Sequence, residues 1–255
     1  VTFVTEGHEW VYDGTAHSWG GHAVAEGSAY GLVGEHTTRA IGFTYVTNVA
    51  DSGTVNELTV AVYDGERDVT GNYEISYDEE NAGKLTITPR PVTFATESRS
   101  WVYDGTAHSW GGHAVAPSSE YGLVEGHTSR ATELTYITNV RYGEDGDVTG
   151  IFNVLVIEVY DANGVPVAAG NYSILYEYGT LTVTPRPIVV TAGSGEKMYD
   201  DTPFGYDDFT DGMYYLVASG ADPALAPPVA AGQTLEVRTQ LPESADVYES
   251  GAHTV

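Results

Sequence analysis

Apolar residues recur at every second position over much of the chain. Leu58, Val60 and Val62 fall on one side of their segment and Thr59, Ala61 and Tyr63 on the other. Tyr73, Ile75 and Tyr77 alternate with Glu74 and Ser76, and Leu85 and Ile87 with Thr86 and Thr88. A period of two, rich in β-branched and aromatic side chains, predicts half-buried strands of antiparallel sheets. The dipeptides Asp13-Gly14, Asp64-Gly65, Asp104-Gly105 and Asn163-Gly164 punctuate these strands and supply the positive-φ residues that tight turns need. No glycine-free segment of ten or more residues carries a 3.6 period. Residues 28–33 and 119–124 are the best helical candidates, each with a serine able to cap one turn but with a central glycine; an irregular crossover loop fits them equally.

The pattern is itself repeated. WVYDGTAHSWGGHAVA at residues 10–25 recurs unchanged at 101–116, YGLVGEHTTRA at 30–40 answers YGLVEGHTSRA at 121–131, and KLTITPRPVTF at 84–94 answers TLTVTPRPIVV at 180–190. The offset is 91 residues between Trp10 and Trp101 and 99 between Asn72 and Asn171, the extra residues lying in loop-like stretches at 142–150 and 162–170. A diverged third unit begins at Pro187, with Tyr199-Asp200-Asp201-Thr202 in the place of Tyr-Asp-Gly-Thr. It lacks about thirty residues at its end, Gly251 to Val255 matching Gly150 to Val154. This predicts three β domains at 1–90, 91–186 and 187–255, the last incomplete. Pro89-Arg90-Pro91 and Pro185-Arg186-Pro187 join them. Two prolines around one residue hold the backbone extended, so each joint is short and stiff. Compact units of this size, placed end to end, reach on the order of 100 Å.

Composition narrows the function. The 255 residues carry 36 acidic against 10 basic side chains, a formal charge of −26, and no cysteine. Phosphate backbones and anionic lipid surfaces would approach against a field of their own sign, so nucleic acid is excluded as a partner. Disulfides, thiolate nucleophiles and Cys-ligated zinc are ruled out, and no apolar run is long enough to span a bilayer. A chain that starts at Val1 without a signal segment reads as an internal piece of a longer polypeptide, with signal and anchor outside it.

The ordered motifs Tyr12-Asp13-Gly14-Thr15, Gly31-Leu32 with Gly34 and His36, Thr47-Asn48-Val49, Asp68-Val69-Thr70-Gly71-Asn72-Tyr73 and Leu85-Thr86-Ile87-Thr88-Pro89-Arg90 resemble the tandem MBG/YDG-type repeats of large bacterial cell-surface, adhesin-like proteins. The second unit matches through Tyr103-Asp104-Gly105-Thr106, Gly122-Leu123, Thr138-Asn139-Val140, Gly170-Asn171-Tyr172 and Leu181 to Arg186. The resemblance implies a small β-rich module repeated in extracellular stalks, not an enzyme.

Candidate chemistry is sparse. His17, His22 and His36 recur as His108, His113 and His127 and could ligate a metal. Their spacing does not force them onto one side and the third unit retains none, so the expectation is solvated turn and strand-surface histidines, with no metal or other cofactor. Trp19 and Trp110, each followed by Gly-Gly-His, could form an exposed platform for a glycan or protein together with His22 and His113. The competing reading, preferred because Tyr206 keeps an aromatic at that place in the third unit, is that each covers an end of its unit's core or packs across the Pro-Arg-Pro joint against its neighbour. The acidic runs at 78–80 and 144–147 lack calcium-loop spacing and read as solvated loops. With Lys84 and Lys197 as the only lysines, a repeated Lys–Asn crosslink is ruled out, and no nucleophile or phosphate-loop motif is present. The sequence therefore reads as mainly β: tandem small domains, β-grasp-like or an immunoglobulin-like sandwich, in an elongated array. Its expected role is a structural stalk on the bacterial surface that projects a distal domain, with neighbouring repeats as partners. The alternative is a module binding host glycan or protein through the Trp/His segments.

Overall fold

In the computed structural model the described residues are 1–192, 198–202, 215–218 and 231–233. Small β-sheets and three 3₁₀ turns account for their regular structure, with no α-helix among them. The chain divides into two compact units. The first comprises Val1–Glu97, Gly111–Leu134 and Val154–Gly179; the second, Ser98–Trp110, Thr135–Asn153 and Thr180–Val255.

The first unit holds the whole first repeat and part of the second. Strand Thr2–Thr5 pairs antiparallel with His22–Val24 and parallel with Ser76–Tyr77. A second sheet pairs Thr37–Phe43 with Leu58–Asp64, its register broken by a bulge between Ala40 and Gly42. The two sheets close on Phe3, Leu58 and Val60, whose alternate positions all face inward. A third sheet sets His8–Val11 parallel to Lys84–Thr88, with Thr54–Val55 on the other edge. Where the chain passes from the first of these sheets to the third, Asn56 is buried and donates its Nδ2–H to Glu6 O at 2.8 Å. Gly83 lies so close to the Glu6–Gly7 backbone that any β-carbon there would overlap it.

The second repeat's share of this unit copies the first two sheets. Arg90–Thr96 pairs antiparallel with His113–Val115 and parallel with Tyr172–Glu177. Thr128–Leu134 pairs with Leu155–Tyr160, again with a bulge, between Ala131 and Glu133. The second unit then holds the counterpart of the third sheet, Arg99–Val102 parallel to Thr180–Thr184 with Ile151–Phe152 antiparallel to the latter. Its core is Ile137, Leu181 and Val183. Val189–Ala192 pairs antiparallel with Tyr215–Ala218.

One sequence expectation changes and one open alternative is decided. The strands are not purely antiparallel: among the described residues four pairings are parallel, because alternation reports only that one face is buried and is silent on strand direction. Of the two readings open for residues 28–33 and 119–124, the irregular loop is the one found. Their serines latch the loop to a strand: Ser28 Oγ accepts the Thr2 N–H at 2.9 Å and Ser119 Oγ the Thr93 N–H at 2.8 Å. Compact packing joins parts of both sequence repeats in the first unit. One cluster of buried residues takes Tyr12, Val46, Leu85 and Ile87 from the first repeat and Val92, Phe94, Leu155, Ile157, Val159 and Tyr172 from the second. Strand Lys84–Thr88 enters Arg90–Thr96 across Pro89 alone, so the joint expected to be stiff is also the middle of a core.

The joint is interlocked by polar groups as well. Asn171, 2% exposed, accepts the Val49 N–H at 2.9 Å and donates to Asn48 Oδ1 at 2.8 Å. Tyr12 meets Tyr172 edge to face at 5.6 Å. Arg90 donates to Gly122 O at 2.7 Å and to Tyr12 O at 3.3 Å while its guanidinium covers Tyr121. Within the second unit, Arg186 makes the same 3.3 Å bond to Tyr103 O.

The turn dipeptides behave as expected, with φ of 79° at Gly14, 59° at Gly65, 82° at Gly105 and 77° at Gly164. In the third unit Asp201 takes this place at φ 61°, a conformation aspartate tolerates better than most residues. Its neighbour Asp200 accepts the Thr202 N–H and hydroxyl at 3.0 and 2.6 Å, as Asp13 does from Thr15 and Asp104 from Thr106. The expectations for Tyr206 and for 251–255 as a truncated end lie outside the described residues.

Candidate functional site: a tryptophan–histidine ladder

Strand alternation puts His8 and Trp10 on one side of His8–Val11, and the Asp13-Gly14-Thr15 turn brings the chain back beside them. A β-bridge between His17 and Val46 fixes the return. The result is a ladder of rings. Trp19 stacks on His8 at 4.1 Å, His8 meets Trp10 at 4.5 Å, and Trp10 stacks on His17 at 5.0 Å. At the end of the ladder His17 Nε2 lies 2.9 Å from Asp13 Oδ1.

The second unit contains the same ladder with one change. The Arg99 guanidinium occupies the place of His8, 3.7 Å from the centre of the Trp110 ring and 5.9 Å from that of Trp101. Trp101 stacks on His108 at 5.0 Å, and His108 Nε2 is 3.0 Å from Asp104 Oδ1. An imidazole and a guanidinium are both flat, polar and able to lie on an indole, which is why this position accepts either. The ladder's other members are identical between the repeats.

Trp19 and Trp110 therefore stand as half-buried packing rings. Trp19 borders the core that crosses the joint, with its Nε1 buried and unpartnered, and Trp110 borders the core of the second unit. His22 does not join Trp19. It turns to Phe3, edge on at 5.7 Å, and its Nδ1 lies 2.7 Å from Gly20 O while Nε2 is buried without a partner. His113 does the same against Phe94, with Nδ1 2.8 Å from Gly111 O and Nε2 3.1 Å from Ser129 Oγ. His36 and His127 sit 2.7 and 2.9 Å from the hydroxyls of Tyr73 and Tyr172. The histidines expected to be solvated are thus all half-buried against aromatic rings, because each finds a π face or a hydroxyl in its own repeat. Among the described residues no three His, Cys, Asp or Glu side chains gather as a metal site. The partners His8, Arg99, Trp10 and Trp101 were not marked by the sequence as a constellation. The identical offset of the aromatic pair and the His-to-Arg exchange at one repeat position are the signals that point to it.

The carboxylates that cap the ladders are held ionised. Asp104 falls from 3.8 to about 2, mainly through the Thr106 N–H and then its hydroxyl, with desolvation opposing and His108 adding a smaller effect. For Asp13 burial is the largest influence and pushes upward, but the Thr15 and His17 contacts together bring it below its ordinary value. Burial lowers His127, with Asp161 opposing. Because the folded Asp104 binds its proton less readily than the unfolded chain, its contribution to stability is complete above about pH 4 and is lost as the pH falls towards 2. Asp104→Asn is expected to lose less stability than the parent between pH 5 and pH 2 in urea titrations; equal losses would count against this role for the carboxylate.

No helix among the described residues is long and apolar enough to cross a membrane. No protein-family model, curated protein or solved structure matches the chain.

Proposed function

We propose that the chain is a structural spacer built from MBG/YDG-like repeats, sandwich-like in each repeat, that projects a distal domain from a bacterial cell surface. The observation that carries this reading is the interlocked joint. A core that continues through Pro89-Arg90, pinned by Asn171 on Asn48 and Val49 and by Tyr12 on Tyr172, resists bending by burial, which a linker cannot do. The acidic surface, at −26 overall, favours solubility and mutual repulsion of neighbouring stalks. Burial of Trp19 against His8 and the Arg99 guanidinium over Trp110 support packing over recognition, since binding a sugar would have to displace contacts already made.

Small-angle scattering on the full chain tests the spacer reading. A single globule of 255 residues has a radius of gyration of roughly 18 Å. The expected result is a value far above that, with a pair-distance distribution skewed to long distances; a value near 18 Å would overturn it.

A further inference from the structure

The second repeat docks on the first through a defined set of groups: Tyr121, Val124, His127, Asn171 and Tyr172. They receive Tyr12, Gly14, Asn48, Val49 and, over Tyr121, Arg90. Val124 Cγ1 stands 3.2 Å from where a β-carbon on Gly14 would lie, and His127 lies against Tyr12 at 6.4 Å between rings. The first repeat carries the same set at equivalent positions: Tyr30, Val33, His36, Asn72 and Tyr73. Here Tyr30, Val33 and Asn72 face solvent, and His36 and Tyr73 are half-buried. Tyr30 is 77% and Val33 65% exposed, and Asn72 is exposed where Asn171 is 2% exposed.

This face is already assembled. The Tyr73 hydroxyl accepts the Val33 N–H at 3.0 Å and lies 2.7 Å from His36 Nδ1, against 3.0 and 2.9 Å for the Tyr172 hydroxyl with Val124 and His127. The internal bonds that shape the docking surface therefore do not depend on its being covered. The covered face has a Tyr-Asp-Gly turn, a Thr-Asn-Val segment and the Arg90 guanidinium opposite it; among the described residues the other face has none of them.

We infer that the face made by Tyr30, Val33, His36, Asn72 and Tyr73 is a docking surface for another repeat of this same type. That repeat would present its Tyr-Asp-Gly turn and its Asn-Val peptide, Asn72 accepting the valine N–H and bonding the asparagine amide as Asn171 does. The surface selects a folded end and not a linear peptide, since the groups it receives come from two turns and a strand that are distant in sequence. The inference stands on the geometry of the existing joint and not on the spacer reading: docking could hold in a chain that scattering finds compact.

The test is a chain in which residues 1–91 are duplicated ahead of Val1, so that Thr-Pro-Arg-Pro precedes Val1 just as it precedes Val92. Amide hydrogen exchange is followed at 30–36 and 69–77 of the original first repeat. These amides are expected to slow by roughly tenfold or more relative to the parent chain, approaching the rates at 121–127 and 168–176. Asn72→Leu, placed at the new joint, should reverse the slowing, yet leave the parent's unfolding midpoint unchanged, because Asn72 is exposed there. Unchanged exchange with a protected leading copy overturns the inference. An unprotected leading copy overturns it as well, because in the existing joint the Val46, Leu85 and Ile87 end of the first repeat shares one buried cluster with the repeat that follows.

Discussion

Phe94→Ala is expected to destabilise the first compact unit by about 3–5 kcal/mol, the usual range for removing a fully buried phenylalanine. Phe94 is fully buried, and the cluster around it draws on both repeats. The cavity would remove packing from Leu85 and Ile87 on one side of Pro89 and from Leu155, Ile157 and Val159 on the other. Hydrogen exchange should therefore accelerate in Lys84–Thr88 as well as in Leu155–Tyr160. Phe3→Ala empties the equivalent place in the first repeat, but its cluster holds only first-repeat residues. A comparable loss of stability is expected there, with Leu155–Tyr160 left protected. If Phe94→Ala left Lys84–Thr88 protected while Leu155–Tyr160 opened, the two repeats would not share a cooperative core.

Asn171→Ala is expected to cost about 1–3 kcal/mol, because it removes a buried side chain that accepts the half-buried Val49 N–H and donates to Asn48 Oδ1. Asn72→Ala changes the equivalent, exposed side chain and should lie within about 0.5 kcal/mol of the parent. The measurement is the urea midpoint of each variant at matched slopes. Equal effects at the two positions would mean that the asparagine acts inside its own repeat. A larger loss at Asn171 locates its work at the joint.

Much of this was legible along the chain. Period-two alternation identified the strands that bury Leu58, Val60, Leu85 and Ile87, because a pleated backbone sends successive side chains to opposite faces whatever it pairs with. The Asp-Gly turns could be read because only a few residue types tolerate positive φ, and the third unit's Asp201 shows the rule surviving an exchange of residue. The ladder was half legible. Trp19 and Trp110 stood out as paired aromatics, yet nothing local joins Trp19 to His8 eleven positions earlier or tells His22 to turn towards Phe3.

The amino-acid order alone thus determined a repeated, mainly β chain of strong negative charge, with its turns in place and its joints extended. Tertiary structure decided the parallel pairings, the partners of each tryptophan and histidine, and above all where the cores lie. The physical reason is that alternation and turn chemistry are properties of a few neighbouring residues, whereas burial depends on which surfaces the chain brings together. Val46, Leu85 and Phe94 carry no mark in their own segments that they will share one core across Pro89.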